Sequence, residues 1–177
     1  LRQLLTSSLG NAINVCHDGG IWYIAAPAGP QFADFATVLG DLGVWRQTLV
    51  WVKDSMVLGR SDYHYKHEAI FYGWKRGGAH KEPPDRKQTT VWEFPRPKAS
   101  REHPTMKPVA LYARMMTNST AVGSVIYEPF MGSGATLVAA EQLGRVCCGI
   151  ELDPGYCDVV AQRWEAFSGL KAQREAS

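Results

Sequence analysis

The sequence predicts an α/β fold: a doubly wound, mostly parallel sheet, incomplete within this chain, with an irregular lobe set into it. Three observations carry that prediction. Short apolar runs alternate with stretches whose apolar residues recur at helical spacing. One of those runs, Ile21 to Ala26, is closed by Pro27, the pattern of a strand buried on both faces. A central stretch rich in Gly, Pro and charge interrupts the alternation.

The elements follow in order. Residues 1–16 space Leu1, Leu4, Leu5, Leu9 and Ile13 as an amphipathic helix that Gly19-Gly20 stops. Phe32 to Leu42 is the next helix, with Phe32, Phe35, Ala36 and Leu39 on one stripe and Gly43 behind it. Thr48 to Val52 and Ala69 to Trp74 are strands. Residues 76–104 hold Gly77-Gly78, Pro83-Pro84, Pro95, Pro97 and Pro104, an irregular lobe with one short strand at Thr89 to Phe94. Periodicity then resumes with a helix at Val109 to Met116, a strand at Ser124 to Glu128 and a helix at Ala135 to Leu143. A strand at Val146 to Leu152 and a helix at Tyr156 to Phe167 close the chain.

At 177 residues, 45% hydrophobic and 20% charged, the chain is long enough to bury a core, so disorder is not the default and one soluble domain with an inserted lobe is expected. No run of eighteen apolar residues occurs and no signal peptide is evident, so no membrane association and a cytoplasmic location are expected. The absence of an initiator Met before Leu1 suggests a fragment or a processed chain. Cys16, Cys147, Cys148 and Cys157 form no C-x-x-C pair, and His64 and His67 have no partner pair nearby, so neither a disulfide nor a metal site is expected.

The net charge of +2 hides an uneven distribution. From Lys53 to Lys107 there are twelve Lys or Arg against seven Asp or Glu, and the remainder is net negative. That basic segment also holds four of the five histidines, interleaved with Tyr63, Tyr65, Phe71, Tyr72, Trp74, Trp92 and Phe94. Cations mixed with aromatics suit a phosphate backbone and an unstacked base. A solvated surface with some core aromatics is the plainer alternative.

The sharpest chemical signal is Glu128-Pro129-Phe130-Met131-Gly132-Ser133-Gly134-Ala135-Thr136, where a strand passes through a glycine turn into a helix. Glycines let backbone approach a ligand, and the free N–H groups of a helix start favour a carboxylate or phosphate. Leu137 stands where a dinucleotide fingerprint needs a third small residue, and no G-x-x-x-x-G-K-[ST] occurs, so the NAD and P-loop readings both lose ground. Seventeen residues past Gly134 the next strand ends at Glu151-Leu152-Asp153-Pro154. A carboxylate there can accept both hydroxyls of a ribose, a role that suits Glu151 best. Capping of the last helix is the alternative for both acids, and Asp153 before Pro154 looks like a cap.

His103-Pro104-Thr105-Met106-Lys107-Pro108, the glycine turn, Gly149-Ile150-Glu151-Leu152-Asp153-Pro154-Gly155-Tyr156 and Arg163-Trp164 together resemble the carboxyl-terminal half of DNA methyltransferases that act on exocyclic amino groups of adenine or cytosine. The order of motifs is similar to the β class, especially bacterial and phage modification methylases. Trp51-Val52-Lys53, His67 to Lys75 and Thr89 to Trp92 extend the resemblance upstream over nearly the whole chain.

The resemblance implies a Rossmann-like methyltransferase sheet divided as follows: 1–53 and 67–75 sheet, 54–66 and 76–102 target-recognition lobe, 103–170 S-adenosylmethionine-binding part, 171–177 tail. It implies that Phe130, Gly132, Ser133 and Gly134 surround the cofactor's methionine, that Glu151 holds its ribose, that His103 and Lys107 approach from the other side, and that Thr105, Thr136 and Leu152 also belong to the cofactor site. A lysine suits the methionine carboxylate. Contacts with double-stranded DNA are expected from Arg60, Tyr63, His64, Tyr65, Lys66, Lys75, Arg76 and Lys81.

Two departures stand out. Glu128 occupies a position where the family usually has Asp. The family's Asp/Asn/Ser-Pro-Pro-aromatic tetrapeptide, which holds the flipped base, occurs nowhere in the chain, and Glu82-Pro83-Pro84-Asp85 lacks the aromatic. In the family that tetrapeptide lies upstream of the segment seen here, so no catalytic residue is assigned. The expected activity is a part of a DNA methyltransferase, adenine N6 favoured over cytosine N4. The alternatives are an inactive DNA- or partner-binding relic and, more distantly, a methyltransferase for RNA or a small molecule. Sheet completion by a homodimer or by a missing N-terminal segment is the expected consequence of the absent strands.

Overall fold

The computed structural model describes residues 1–60, 62–97 and 106–175. The chain divides into two compact units, Leu1–Arg96 and Pro97–Ser177.

In the first unit, α1 (Arg2–Val15), β1 (Ile21–Ala26), α2 (Phe32–Asp41), β2 (Trp45–Val57), β3 (Tyr65–Trp74) and β4 (Val91–Glu93) follow in sequence. The sheet order is β1-β3-β2-β4. Strand β3 lies antiparallel between β1 and β2, and β4 joins β2 in parallel. Three of its four strands point the same way and only β3 is reversed, because β2 returns directly into β3 through a hairpin, a connection too short for a parallel crossover. The carboxyl ends of β1 and β2 share one end of the sheet with the start of β3.

The alternation of side chains along β3 decides what each face carries. Phe71 points into a core with Leu5, Leu9 and Ala12 of α1, Val38 and Leu39 of α2, and Trp22 and Ala26 of β1. Phe32 stacks on it at 4.7 Å and Trp45 meets it edge-on at 5.0 Å. On the other face Tyr72 lies 5.0 Å from Tyr23, which in turn lies 6.2 Å from Trp92 of β4. The short strand expected in the lobe is thus part of the sheet, held by the Val50–Val91 and Trp51–Trp92 pairing.

The second unit holds α3 (Val109–Ser119), β5 (Val125–Glu128), α4 (Ala135–Gln142), β6 (Val146–Gly149) and α5 (Pro154–Ser168). β5 and β6 pair in parallel from Val125–Val146 to Glu128–Gly149, with α4 as the crossover. Met116 of α3 and Ala139 and Ala140 of α4 form its core, flanked by Ile126 and Cys147 from the strands. Asp153 caps α5, accepting from Gly155 N–H at 2.7 Å, with Pro154 in the first turn. The capping alternative raised for Asp153 is what the structure shows.

Candidate functional site

Two parallel strands of equal length bring their carboxyl ends level, and everything chemical in the second unit hangs on that alignment. β5 ends at Glu128 and β6 at Gly149, and the ladder continues past both: Ile150 N–H donates to Glu128 O and Met131 N–H to Ile150 O, each at 2.9 Å. The chain after β5 is therefore bent over the end of β6. Gly149 makes room for it, since a Cβ there would lie 1.8 Å from the Met131 methyl.

At this corner Glu151 and the glycine turn meet. Gly132 N–H donates to Glu151 Oε2 at 2.7 Å, while Leu152 N–H and Asp153 N–H both donate to Oε1 at 2.9 Å. The carboxylate is fixed by three backbone donors, two on Oε1 and one on Oε2, so Oε2 keeps acceptor capacity. One expectation needs refining: the Gly132 N–H is taken by Glu151, so the donors left for an anion are those of the α4 start. Gly134 sits at φ +79° as the cap of α4, a conformation natural to glycine, and lets Ala135, Thr136 and Leu137 begin the helix with N–H groups that have no intrahelical acceptor.

Glu128 braces the same turn. It accepts from Phe130 N–H at 3.1 Å and from the Thr136 hydroxyl at 3.0 Å. Burial pushes its carboxyl above the usual range, against the opposing pull of those two donors and the Lys107 charge. The acid thereby reaches across the turn to α4.

The expected cofactor residues divide into three groups. Phe130 and Leu152 are exposed beside Glu151, with Ile150 exposed between the strands and the turn. Ser133 and Thr136 are buried: Thr136 is bound to Glu128, and Ser133 receives Arg163 Nη1 on its carbonyl at 2.6 Å and its hydroxyl at 3.0 Å. Their side chains hold the turn in shape. Lys107 lies within electrostatic reach of Glu128, while His103 and Thr105 fall outside the described residues. Arg163 was legible only as part of a family motif, and its role as a clamp from α5 onto the glycine turn is a finding of the structure. Trp164 ties α5 to α4 through Glu141 at 3.0 Å.

The residues expected to meet DNA are not gathered in one place. Arg60, Tyr63, His64, Tyr65 and Lys66 occupy the β2–β3 hairpin and are exposed. Lys75 and Arg76 follow the far end of β3, about 30 Å away along a strand of ten residues. Lys75 is also occupied, donating to Cys16 O at 2.8 Å and pairing with Asp18 at 3.4 Å. Lys81 is exposed in the segment between β3 and β4. Sequence reasoning missed the Lys53–Glu68 ion pair (2.9 Å) at the foot of the hairpin, in which Lys53 is only 7% exposed. The signal was present: Leu49, Trp51 and Lys53 alternate onto one face, where a cation needs an acid on the neighbouring strand.

The chain is 35% identical over 87 residues to the type II methyltransferase M.HpaI of Haemophilus parainfluenzae, and 43% identical over 65 residues to M2.DpnII of Streptococcus pneumoniae. These matches take in 46% and 37% of this chain but only 28% and 24% of the relatives' own lengths. Among solved structures, the complex of M1.HpyAVI with SAM superposes with a TM-score of 0.78 at 23% identity, covering 90% of this chain and 81% of that one. The cytosine-N4-specific PvuII DNA methyltransferase gives 0.79 at 13% identity, covering 92% and 70%. Such low identities show the shared fold alone. The family model described as DNA methylase (N6_N4_Mtase) matches residues 3–162, which include both the glycine turn and Glu151, and the chain therefore belongs to that family of amino-group DNA methyltransferases.

Proposed function

We propose that this chain is the cofactor-holding and DNA-facing part of a methyltransferase that moves a methyl group from S-adenosylmethionine to an exocyclic amino group of duplex DNA. Adenine N6 is the favoured acceptor over cytosine N4, as the commoner target in the family that the sequence resembles. The observation that carries the reading is the closure of Glu151 onto Gly132 N–H at the level tips of β5 and β6. It fixes a carboxylate beside an open apolar surface of Phe130, Ile150 and Leu152, the pairing of polar edge and flat apolar face that a ribose and its purine require.

Glu151 holds the ribose hydroxyls with the acceptor capacity its backbone donors leave. The first N–H groups of α4 and the Lys107 ammonium take the methionine carboxylate, with His103 and Thr105 beside them. Gly132 and Gly134 keep the turn low enough for close approach, and Ser133 and Thr136 hold it rigid from behind. The bound cofactor supplies an electrophilic methyl on a sulfonium, and the residues here contribute position rather than proton transfer. The exposed hairpin residues Arg60, Tyr63, His64, Tyr65 and Lys66, with Arg76 and Lys81, contact DNA, and such binding weakens with salt. Among the described residues β1 pairs only with β3 and β5 only with β6, edges that suit further chain or a second copy. A cytoplasmic setting, where bacterial DNA lies, agrees with this role.

Calorimetry with S-adenosylmethionine and its demethylated product tests the site directly, and the reading predicts saturable one-to-one binding. Nucleoside analysis after incubation with duplex DNA tests the reaction and separates N6-methyladenine from N4-methylcytosine. The absence of the Pro-Pro-aromatic tetrapeptide from the 177 residues favours a second reading, a module that binds cofactor and DNA without turnover. Binding without methyl transfer by this chain, restored when the residues encoded ahead of Leu1 are included, marks a part of an enzyme. Binding that stays unproductive with them marks the module.

A further inference from the structure

We propose that the tip of the β2–β3 hairpin is a wedge that enters the base stack of duplex DNA, with Leu58 and Tyr63 inserted and Arg60, His64 and Lys66 on the flanking phosphates. The inference rests on the reading of this face as DNA-binding, and it adds a mode of contact that the reading alone does not specify.

Four observations carry it. The first is a change of register. Val52 pairs with His67 and Val57 with Tyr65, so five steps along β2 answer two along β3, and residues 53–56 form a bulge. Bulges bend a hairpin and re-aim its end.

The second is a rigid foot below that bend. Trp51 is 1% exposed and its Nε1 donates to Phe94 O at 2.9 Å. Lys53 pairs with Glu68, and Asp54 Oδ1 accepts from Arg96 N–H at 2.8 Å. The Tyr65 hydroxyl lies over Gly29, so that ring belongs to the foot. A buried ion pair is a weak source of stability but a good way to fix one geometry.

The third is the tip itself. Leu58 is 76% exposed and Tyr63 89% in the connection between β2 and β3, and Met56 near the end of β2 is 52% exposed. Scattered surface apolar residues need no explanation, but three on a projecting hairpin are a liability unless something covers them. Arg60, His64 and Lys66 stand among them with Asp62 as the opposing charge, which selects a polyanion over a neutral apolar partner.

The fourth is reach. From Tyr65, held at the foot, the chain runs two residues to Tyr63, up to about 7 Å, and the 89% exposed Tyr63 side chain extends beyond it toward the roughly 8.5 Å depth of the major groove. Apolar side chains that enter a base step unstack it, and a base turned out of the helix leaves a gap for them to fill.

The test uses the 177-residue chain and fluorescence anisotropy with two otherwise identical duplexes, one intact and one with a central abasic site. A wedge binds the abasic duplex at least about fivefold more tightly, because the gap already exists. Leu58→Ala with Tyr63→Ala abolishes that preference, Tyr63→Trp keeps it, and Arg60→Ala with Lys66→Ala weakens both duplexes alike and lowers the salt slope by about 2. Equal binding of the two duplexes by the parent chain, or a preference that survives in the Leu58/Tyr63 variant, overturns the wedge and leaves DNA binding standing. Failure to bind either duplex overturns the DNA-binding reading as well. Self-association in sedimentation that disappears in the Leu58/Tyr63 variant, with no duplex preference, assigns the patch to a second copy of the chain and overturns the proposal.

Discussion

Removing the Glu151 carboxylate is the perturbation that bears hardest on the cofactor site, and its size follows from the hydrogen bonds. Glu151→Ala strips acceptors from three N–H groups. Those of Leu152 and Asp153 are exposed and water replaces the carboxylate. Gly132 N–H is partly buried, and leaving it unsatisfied costs about 1–3 kcal/mol. Loss of a charged acceptor for the ribose hydroxyls removes a further contribution of about 1–2 kcal/mol net. The first cost falls on folding and lowers the melting temperature, while only the second falls on binding, a roughly 5- to 30-fold weaker cofactor affinity. Titration calorimetry with S-adenosylmethionine reads the loss, and a melting curve shows whether the variant is folded. A ligand lacking the ribose 2′-hydroxyl separates the two parts, since its deficit against the parent ligand shrinks in the variant only where Glu151 meets that hydroxyl. A folded Glu151→Ala chain with undiminished affinity refutes the assignment of this corner as the nucleoside site.

Three further outcomes follow from the same turn. Gly134→Ala places a residue at φ +79° with its Cβ 3.1 and 3.2 Å from the two methyls of Val160, so urea unfolding of the second unit shows a loss of about 2–3 kcal/mol, partly recovered with Val160→Ala. Burial, acting against the Phe130 and Thr136 donors and Lys107, raises the Glu128 pKa, so the folded state binds the proton more tightly than the unfolded chain. Stability therefore falls as pH rises through the raised value, and the melting temperature of Glu128→Gln gains on the parent from pH 4 upward, whereas a constant or shrinking gap contradicts this. Burial, and then the charges of Glu128 and Cys148, push the Cys147 thiol up to about 12, so iodoacetamide at pH 8 labels the exposed Cys148 and spares Cys147, as peptide mass spectrometry reads directly.

Much of the second unit was legible because each of its signals is local. A strand of four residues, a turn with two glycines and a helix start lie within twelve positions, and the capping of α5 by Asp153 is written in the Asp-Pro-Gly order. Even the meeting of Glu151 with the turn could be anticipated, since parallel strands joined by one helix must end at the same edge. What escaped was the set of contacts that turns a motif into a rigid object. Arg163 reaches back thirty residues to Ser133, a contact set by how α5 packs and by no spacing rule. Ser133 and Thr136 looked like ligand groups because small polar residues at a helix start usually are exposed, whereas here both face inward.

The first unit was less legible for a different reason. Its sheet is made by long-range pairing, and the apolar runs at Thr48–Val52 and Ala69–Trp74 announce two strands without saying that they are antiparallel neighbours or that they extend to Val57 and back from Tyr65. Those added residues alternate poorly and carry charge, so pattern alone assigned them to a separate lobe. Their pairing makes the lobe an outgrowth of the sheet, with Lys53, Asp54 and Glu68 fixing the point where the ladder ends and the projection begins. A basic, aromatic stretch read only as composition spreads its cations evenly over fifty residues. Once folded, the same stretch puts five candidates on one hairpin and sends Lys75 to the opposite edge, where Asp18 engages it. Binding measured on hairpin variants against Lys75 variants therefore separates a surface made by the fold from one made by charge alone, and only the fold-made surface loses its grip when the hairpin is altered.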